Sequence, residues 1–182
     1  VYRGSAVYGS VLEDVLQELD GQPLDLYLMT HEHRDHVQGL LHAERKHFTD
    51  DPNELRTKLG TRYAWLTASA AEDYYERHPR ARKKHFALQE AYKEIDKYLT
   101  ALKASPESVH PEIEVLWENN ALWMNPNPSK TDECVGYLRD LAPPETTFYV
   151  HREFDPAGCH PFHEAHLEIW APEVDTADYY GS

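Results

Sequence analysis

Seven consecutive residues, Thr30-His31-Glu32-His33-Arg34-Asp35-His36, hold three imidazoles and two carboxylates. Imidazole nitrogen and carboxylate oxygen are the donors that zinc, iron and manganese take from proteins. An extended backbone throws alternate side chains to one side, so a strand end brings His31, His33 and Asp35 together. His36 joins them as the chain turns into a helix. The spacing points to a metal site with His31, His33, Asp35 and His36 as ligands. Polar loop residues are the plainer reading, and in a chain with 12 histidines it accounts for isolated ones. It does not account for three interleaved with an aspartate in one short run.

The neighbouring residues supply the elements that must hold such a run. Leu24 to Met29 reads as a buried strand after the turn signal Asp20-Gly21-Gln22-Pro23. Before it, Ser10 and Glu13 form a capping box that predicts a helix start at Ser10. Val11, Leu12, Val15, Leu16 and Leu19 follow at helical spacing, and Gly21 is placed for a left-handed end. After the motif, Val37 to Phe48 reads as a helix with Val37, Leu40, Leu41 and Phe48 toward the sheet. Gly39 in its first turn costs about 1 kcal/mol against alanine, which suits a close approach to the strand or the metal site. Helix, strand, metal loop and helix in succession predict an α/β layer fold.

Farther along, Thr49 to Gly60 reads as a surface connection and Arg62 to Leu66 as a strand. Ser69 to Arg82 is polar and aromatic, with Pro79 breaking any continuous helix, as expected of a lid or insertion. Lys84 to Leu102 is predicted as a helix. Its stripe of Leu88, Ala91, Tyr92, Ile95, Tyr98, Leu99 and Leu102 reads as core, while Glu90 with Lys93 and Glu94 with Lys97 cover the polar face. Ser105 to Pro111 is a connector, Ile113 to Trp117 a strand and Asn125 to Pro128 a loop. Thr131 to Leu141 is a helix stopped by Pro143-Pro144, and Thr147 to Val150 and Leu167 to Trp170 are strands. With no internal repeat, residues 1–182 read as a single domain.

Composition narrows the functions. A hydrophobic share of 41% with four tryptophans, twelve tyrosines and five phenylalanines argues for a packed core. Eighteen basic against 32 acidic residues give a net charge of −14, which disfavours a broad nucleic-acid or anionic-membrane footprint. No apolar run approaches the roughly 20 residues of a membrane span, and no signal peptide opens the sequence, so a cytoplasmic location is expected. Cys134 and Cys159 are expected as two thiols rather than a disulfide.

The segment from Ser10 to Phe48 resembles the metallo-β-lactamase fold family. That family's T-H-x-H-x-D-H signature stands here as Thr30 to His36, followed by the family-like Gly39-Leu40. The resemblance implies an αββα sandwich, a mixed sheet flanked by helices, of which this chain is a part, with a helical insertion at about 67–105 like that of some bacterial members. It implies two divalent metals, zinc first with iron or manganese as variants. His31 and His33 would hold one, and Asp35 and His36 the other. It further implies a metal-activated hydroxide, held by Asp35, that attacks an ester, phosphodiester, thioester or lactam bond in a small-molecule or phosphodiester substrate. The family's later ligands, a bridging carboxylate after Ser/Thr-Gly and a final histidine, have no recognisable counterpart. They lie outside this chain or are replaced by the histidine-rich stretch Cys159 to His166, with His160, His163 and His166. His151 stands where a strand-end ligand would.

Two functions are carried forward: a metal-dependent hydrolase, and a non-catalytic metal-binding or protein-interaction remnant of the same fold. A serine or cysteine triad lacks a glycine-flanked nucleophile, and a phosphate loop lacks its glycines.

Overall fold

The computed structural model describes residues 5–103 and 128–178, without the side chains of Arg34, Asp35, Tyr92, Asp96 and Leu99 among others. The first helix, α1 (Ser5–Leu19), begins five residues ahead of the capping box, so Ser10 lies inside it. Tertiary contact explains the extension. Tyr8 accepts a hydrogen bond from Gln38 Nε2 at 3.3 Å, and its ring meets the His42 edge at 5.7 Å. Gly9 lies so close to His47 that a Cβ there would be 2.5 Å from the ring. The end of α1 matches expectation. Asp20 and Gly21 have φ of 47° and 77°, and the Gln22 amide donates to Leu19 O at 2.8 Å, a turn that the Asp-Gly pair favours.

Strand β1 (Leu26–Leu28) is shorter and less buried than expected. Leu24 bonds instead to Leu59 O and the Arg62 amide, and Leu28 is 50% exposed although Met29 is buried. Helix α2 (Arg34–Lys46) starts within the motif, three residues before the expected Val37. It buries Val37, Leu41 and Ala43, with Phe48 just beyond it. Gly39 admits neither strand nor metal site: an added Cβ would meet the Tyr8 ring at 3.1 Å, so the glycine serves the α1–α2 approach.

The expected surface connection contains α3 (Glu54–Leu59), whose Leu55 and Leu59 are fully buried. Buried Glu44 makes this possible. Its Oε1 accepts from the Leu55 amide at 2.9 Å, and its Oε2 accepts from the Arg56 amide at 3.1 Å and the Tyr137 hydroxyl at 2.6 Å. Strand β2 (Tyr63–Thr67) follows as predicted, then a 3-10 turn (Ala68–Ala70), α4 (Tyr74–Arg77) and α5 (Pro79–Lys103). Pro79 opens α5, where its missing N–H costs nothing. The stripe predicted as core is not core where it is described: Ala91, Ile95 and Tyr98 are exposed, and Leu88 is half-buried. The main contacts of α5 are with α4 and the 3-10 turn Thr176–Asp178, where Lys84 Nζ donates to Ala177 O at 2.7 Å. Its later turns therefore meet little of the described core. The ion pairs Lys93–Glu90 and Lys97–Glu94 form as expected. The predicted connector at 105–111, strand at 113–117 and loop at 125–127 lie outside the described residues.

Helix α6 (Pro128–Arg139) packs Cys134, Val135, Tyr137 and Leu138 against α2, and β3 (Thr147–Val150) falls where the sequence put it. Leu167 to Trp170 forms no strand. Arg152 bonds Trp170 O and Pro172 O, but no ladder develops, and Trp170 is 77% exposed.

The fold is α/β, and its strands lie in the order β1-β2-β3, all parallel among the described residues rather than mixed. One face carries Leu66, which packs with Val37, Leu41 and Leu138 of the helices. On the other, Trp65 donates from Nε1 to Cys159 O at 2.8 Å and meets the His160 ring edge-on, so residues 159–160 cover it. The second sheet of a sandwich is not among the described residues. Cys134 and Cys159 form no disulfide. No helix among the described residues is long and apolar enough to cross a membrane.

Candidate functional site

Parallel strands bring their C-terminal ends to one edge, the place where α/β sheets bind ligands. Residues 29–33 leave β1 there, and residues 68–72 leave β2 beside them. His33 is the N-cap of α2, and its carbonyl accepts from the His36 and Val37 amides at 2.9 and 3.1 Å. That turn folds the motif back on itself. The His31 ring lies 4.8 Å from His33 and 4.1 Å from His36, and His33 and His36 are 6.5 Å apart, centroid to centroid. The Thr30 hydroxyl lies 3.0 Å from His31 Nδ1. Three of the four predicted ligands are thus brought together. Asp35 sits in the first turn of α2, but its carboxylate lies outside the described side chains. Among the described residues no group of three or more His, Cys, Asp or Glu is arranged to hold an ion. What the three imidazoles share is donor type and proximity, not a formed metal cage.

Glu32, between two of the histidines, was not singled out from sequence. It turns away from them, as alternation requires. Its Oε1 accepts from the Thr67 hydroxyl at 3.0 Å and from the Ser69 hydroxyl, fastening the motif loop to the end of β2. The alternation was the signal that could have found it, but its partners, 35 and 37 residues away, were not readable.

A cavity of about 730 Å³ opens beside His31, Glu32 and His33. That is ample for a small molecule. Its far wall includes Tyr75, His85, Leu88 and Gln89, from the stretch expected as a lid or insertion. His85 stacks on Tyr75 with centroids 4.7 Å apart. The Tyr75 hydroxyl is 3.2 Å from Nδ1, and Gln89 Nε2 is 2.7 Å from Nε2. Burial draws the His85 pKa below its ordinary value, with the Glu32 and Asp132 carboxylates opposing. The arginine in the wall, Arg139, donates from Nε to Ala70 O at 2.6 Å and pairs with Glu72 at 3.3 Å.

The other candidate histidines lie elsewhere, since none of His151, His160, His163 and His166 lines this cavity. His160 accepts the Phe162 amide on Nδ1 at 3.1 Å and covers Trp65, while exposed His166 pairs with Glu168 at 3.2 Å. His151 accepts the Glu153 amide at 3.3 Å. The 159–166 stretch is a loop, as its proline predicts. Compared with family models, curated proteins and solved structures, the chain shows no match.

Proposed function

We propose that this chain carries the first half of a metal-dependent hydrolase site of metallo-β-lactamase type, with its parallel β1-α2-β2 unit forming part of one layer of an αββα sandwich. The observation that carries the reading is the gathering of His31, His33 and His36 at the C-terminal end of β1, against a cavity of about 730 Å³. His31 and His33 would hold one divalent ion, and His36 with Asp35 a second, zinc in the first instance. Such ions, when bound, lower the pKa of a water toward neutrality and polarise the scissile bond.

The chain's own residues do the remaining work. Thr30 fixes the His31 ring through Nδ1, the kind of outer contact that sets a ligand's tautomer and orientation. Glu32 holds the loop from its opposite side, so the histidines do not depend on the metal alone for their position. Asp35 is the residue we assign to orient the attacking water. The cavity admits a small ester, thioester, lactam or phosphodiester and sets its bond against the histidines.

Metal analysis with a panel of small chromogenic substrates of those four classes tests the proposal. Two equivalents of tightly held metal, with turnover lost in His33→Ala, are expected. One weakly held ion and no turnover on any of the panel would overturn the hydrolase reading in favour of a non-catalytic remnant.

A further inference from the structure

The turn that leaves β2, Ala68–Ala70, is gripped from two sides. On one side the Ser69 hydroxyl, together with that of Thr67, donates to Glu32 Oε1, and Glu32 stands between His31 and His33. On the other, Arg139 at the end of α6 donates from Nε to Ala70 O at 2.6 Å and pairs through Nη1 with Glu72 at 3.3 Å. The two Arg139 contacts differ in weight. Ala70 is 1% exposed, so its carbonyl has little water to turn to if Nε is withdrawn. The Glu72 side chain is 83% exposed, and pairs with such a partner are worth little. The bond to Ala70 O is therefore the one that fixes the turn.

The two hydroxyls on Glu32 also differ. Thr67 is the last residue of β2 and is set by its register with Val150 of β3. Ser69 lies past that ladder and depends on the turn. Since Ser69 and Ala70 are successive residues of one 3-10 turn, a shift of the Ala70 carbonyl moves the Ser69 hydroxyl with it. We propose that Arg139 is a positioning residue for the metal motif: through Ala70 O it sets the Ser69 hydroxyl, and through Ser69 and Glu32 it holds His31 and His33 in place for a divalent ion. The inference rests on the proposed metal site for what the histidines hold, while the chain of contacts stands without it.

Calorimetric titration of the metal-free protein with zinc chloride measures the effect. Glu32→Ala should weaken binding by roughly 10–100-fold, the range for contacts behind a metal's ligands. Glu32→Gln, whose Oε1 still accepts both hydroxyls, should regain most of it. Arg139→Met and Arg139→Lys, which lose the N–H at the Nε position, and Ser69→Ala should each weaken binding by about threefold to tenfold, because Thr67 still holds Glu32. Added to Glu32→Ala, Arg139→Met should cost nothing more, as expected of residues that act through one contact. Unchanged affinity in the Arg139 variants or in Ser69→Ala, additivity with Glu32→Ala, or no rescue in Glu32→Gln overturns the inference. A wild-type protein that holds no zinc defeats the metal reading instead, and amide hydrogen exchange of the metal-free chain then decides the coupling by itself. The Arg139 variants should speed exchange across residues 29–33 as well as 68–72 and leave α1 unchanged; residues 29–33 exchanging at the wild-type rate overturn the coupling.

Discussion

Removing the Glu44 carboxylate should be among the most destabilising single changes in the chain. Glu44 is 4% exposed and accepts three hydrogen bonds, from the amides of Leu55 and Arg56 and from the Tyr137 hydroxyl. It caps α3 from outside the helix, where Asn53 at the N-cap makes no side-chain cap bond. Glu44→Ala leaves three donors at a buried junction of α2, α3 and α6. An unsatisfied buried donor costs about 1–3 kcal/mol, and water can reach some of the space that the side chain leaves. The net loss should be about 3–5 kcal/mol, a large fraction of the roughly 5–15 kcal/mol that holds a domain together. Glu44→Gln keeps the volume but puts an amide nitrogen opposite a donor and removes a charge from the α3 N-terminus, and should cost about 1–2 kcal/mol. Tyr137→Phe removes one donor without stranding Glu44, which keeps both amides, and should cost about 1 kcal/mol. Urea unfolding with the m-value checked for constancy measures each variant, and Glu44→Ala with Tyr137→Phe closes a double-mutant cycle. A loss below about 1 kcal/mol in Glu44→Ala, or additivity in the cycle, would refute the reasoning.

Two further expectations follow from close contacts and burial. Gly9→Ala sets a Cβ within 2.5–2.8 Å of three His47 ring atoms, whereas Gly136→Ala meets nothing within 4 Å on α6. Thermal melts should show the first destabilised by about 1–3 kcal/mol and the second stabilised by about 0.5–1 kcal/mol, as helical alanine replaces glycine. Burial raises the Tyr27 pKa from 10.0 to about 12, so the folded state keeps its proton where the unfolded state has lost it. Its contribution is complete below pH 10 and is lost as pH rises toward 12. Unfolding free energy measured across that window should fall less steeply in Tyr27→Phe.

Features that depend on neighbouring residues were legible in the sequence. The Asp20-Gly21 turn, the break in the helix at Pro79 and the strand Thr147 to Val150 each follow from residue types within a few positions. The features that were not legible depend on distant partners. Leu55 and Leu59 look like loop residues until Glu44, eleven positions earlier, caps the short helix that buries them. The apolar stripe of α5 has the periodicity of a core helix, but periodicity does not say what stands opposite, and Ile95 and Tyr98 remain exposed. Leu167 to Trp170 has strand composition but no strand among the described residues to pair with. The same division runs through the site: His31, His33 and His36 announce themselves by spacing, while His85 and Arg139 enter the cavity from helices whose approach no local pattern specifies.

The motif uses both of its faces, and this bears on how its histidines are positioned. A strand end that only displayed ligands would leave the positions between them in solvent, and the loop would be ordered chiefly by whatever it bound. Here the residue between the first two histidines faces β2, and its carboxylate takes hydroxyl bonds from Thr67 and Ser69. Those two residues flank the C-terminal end of the strand that β1 pairs with, so the ladder fixing β1 against β2 is extended past its last backbone bond by a side chain. On the far side of the motif, the His33 carbonyl opens α2, and α2 is held in turn by Tyr8, Gly39 and Glu44. Both ends of the seven-residue run are therefore set by packing that needs no ligand. A site ordered in this way loses less conformational freedom on binding, because much of the ordering cost is met by folding.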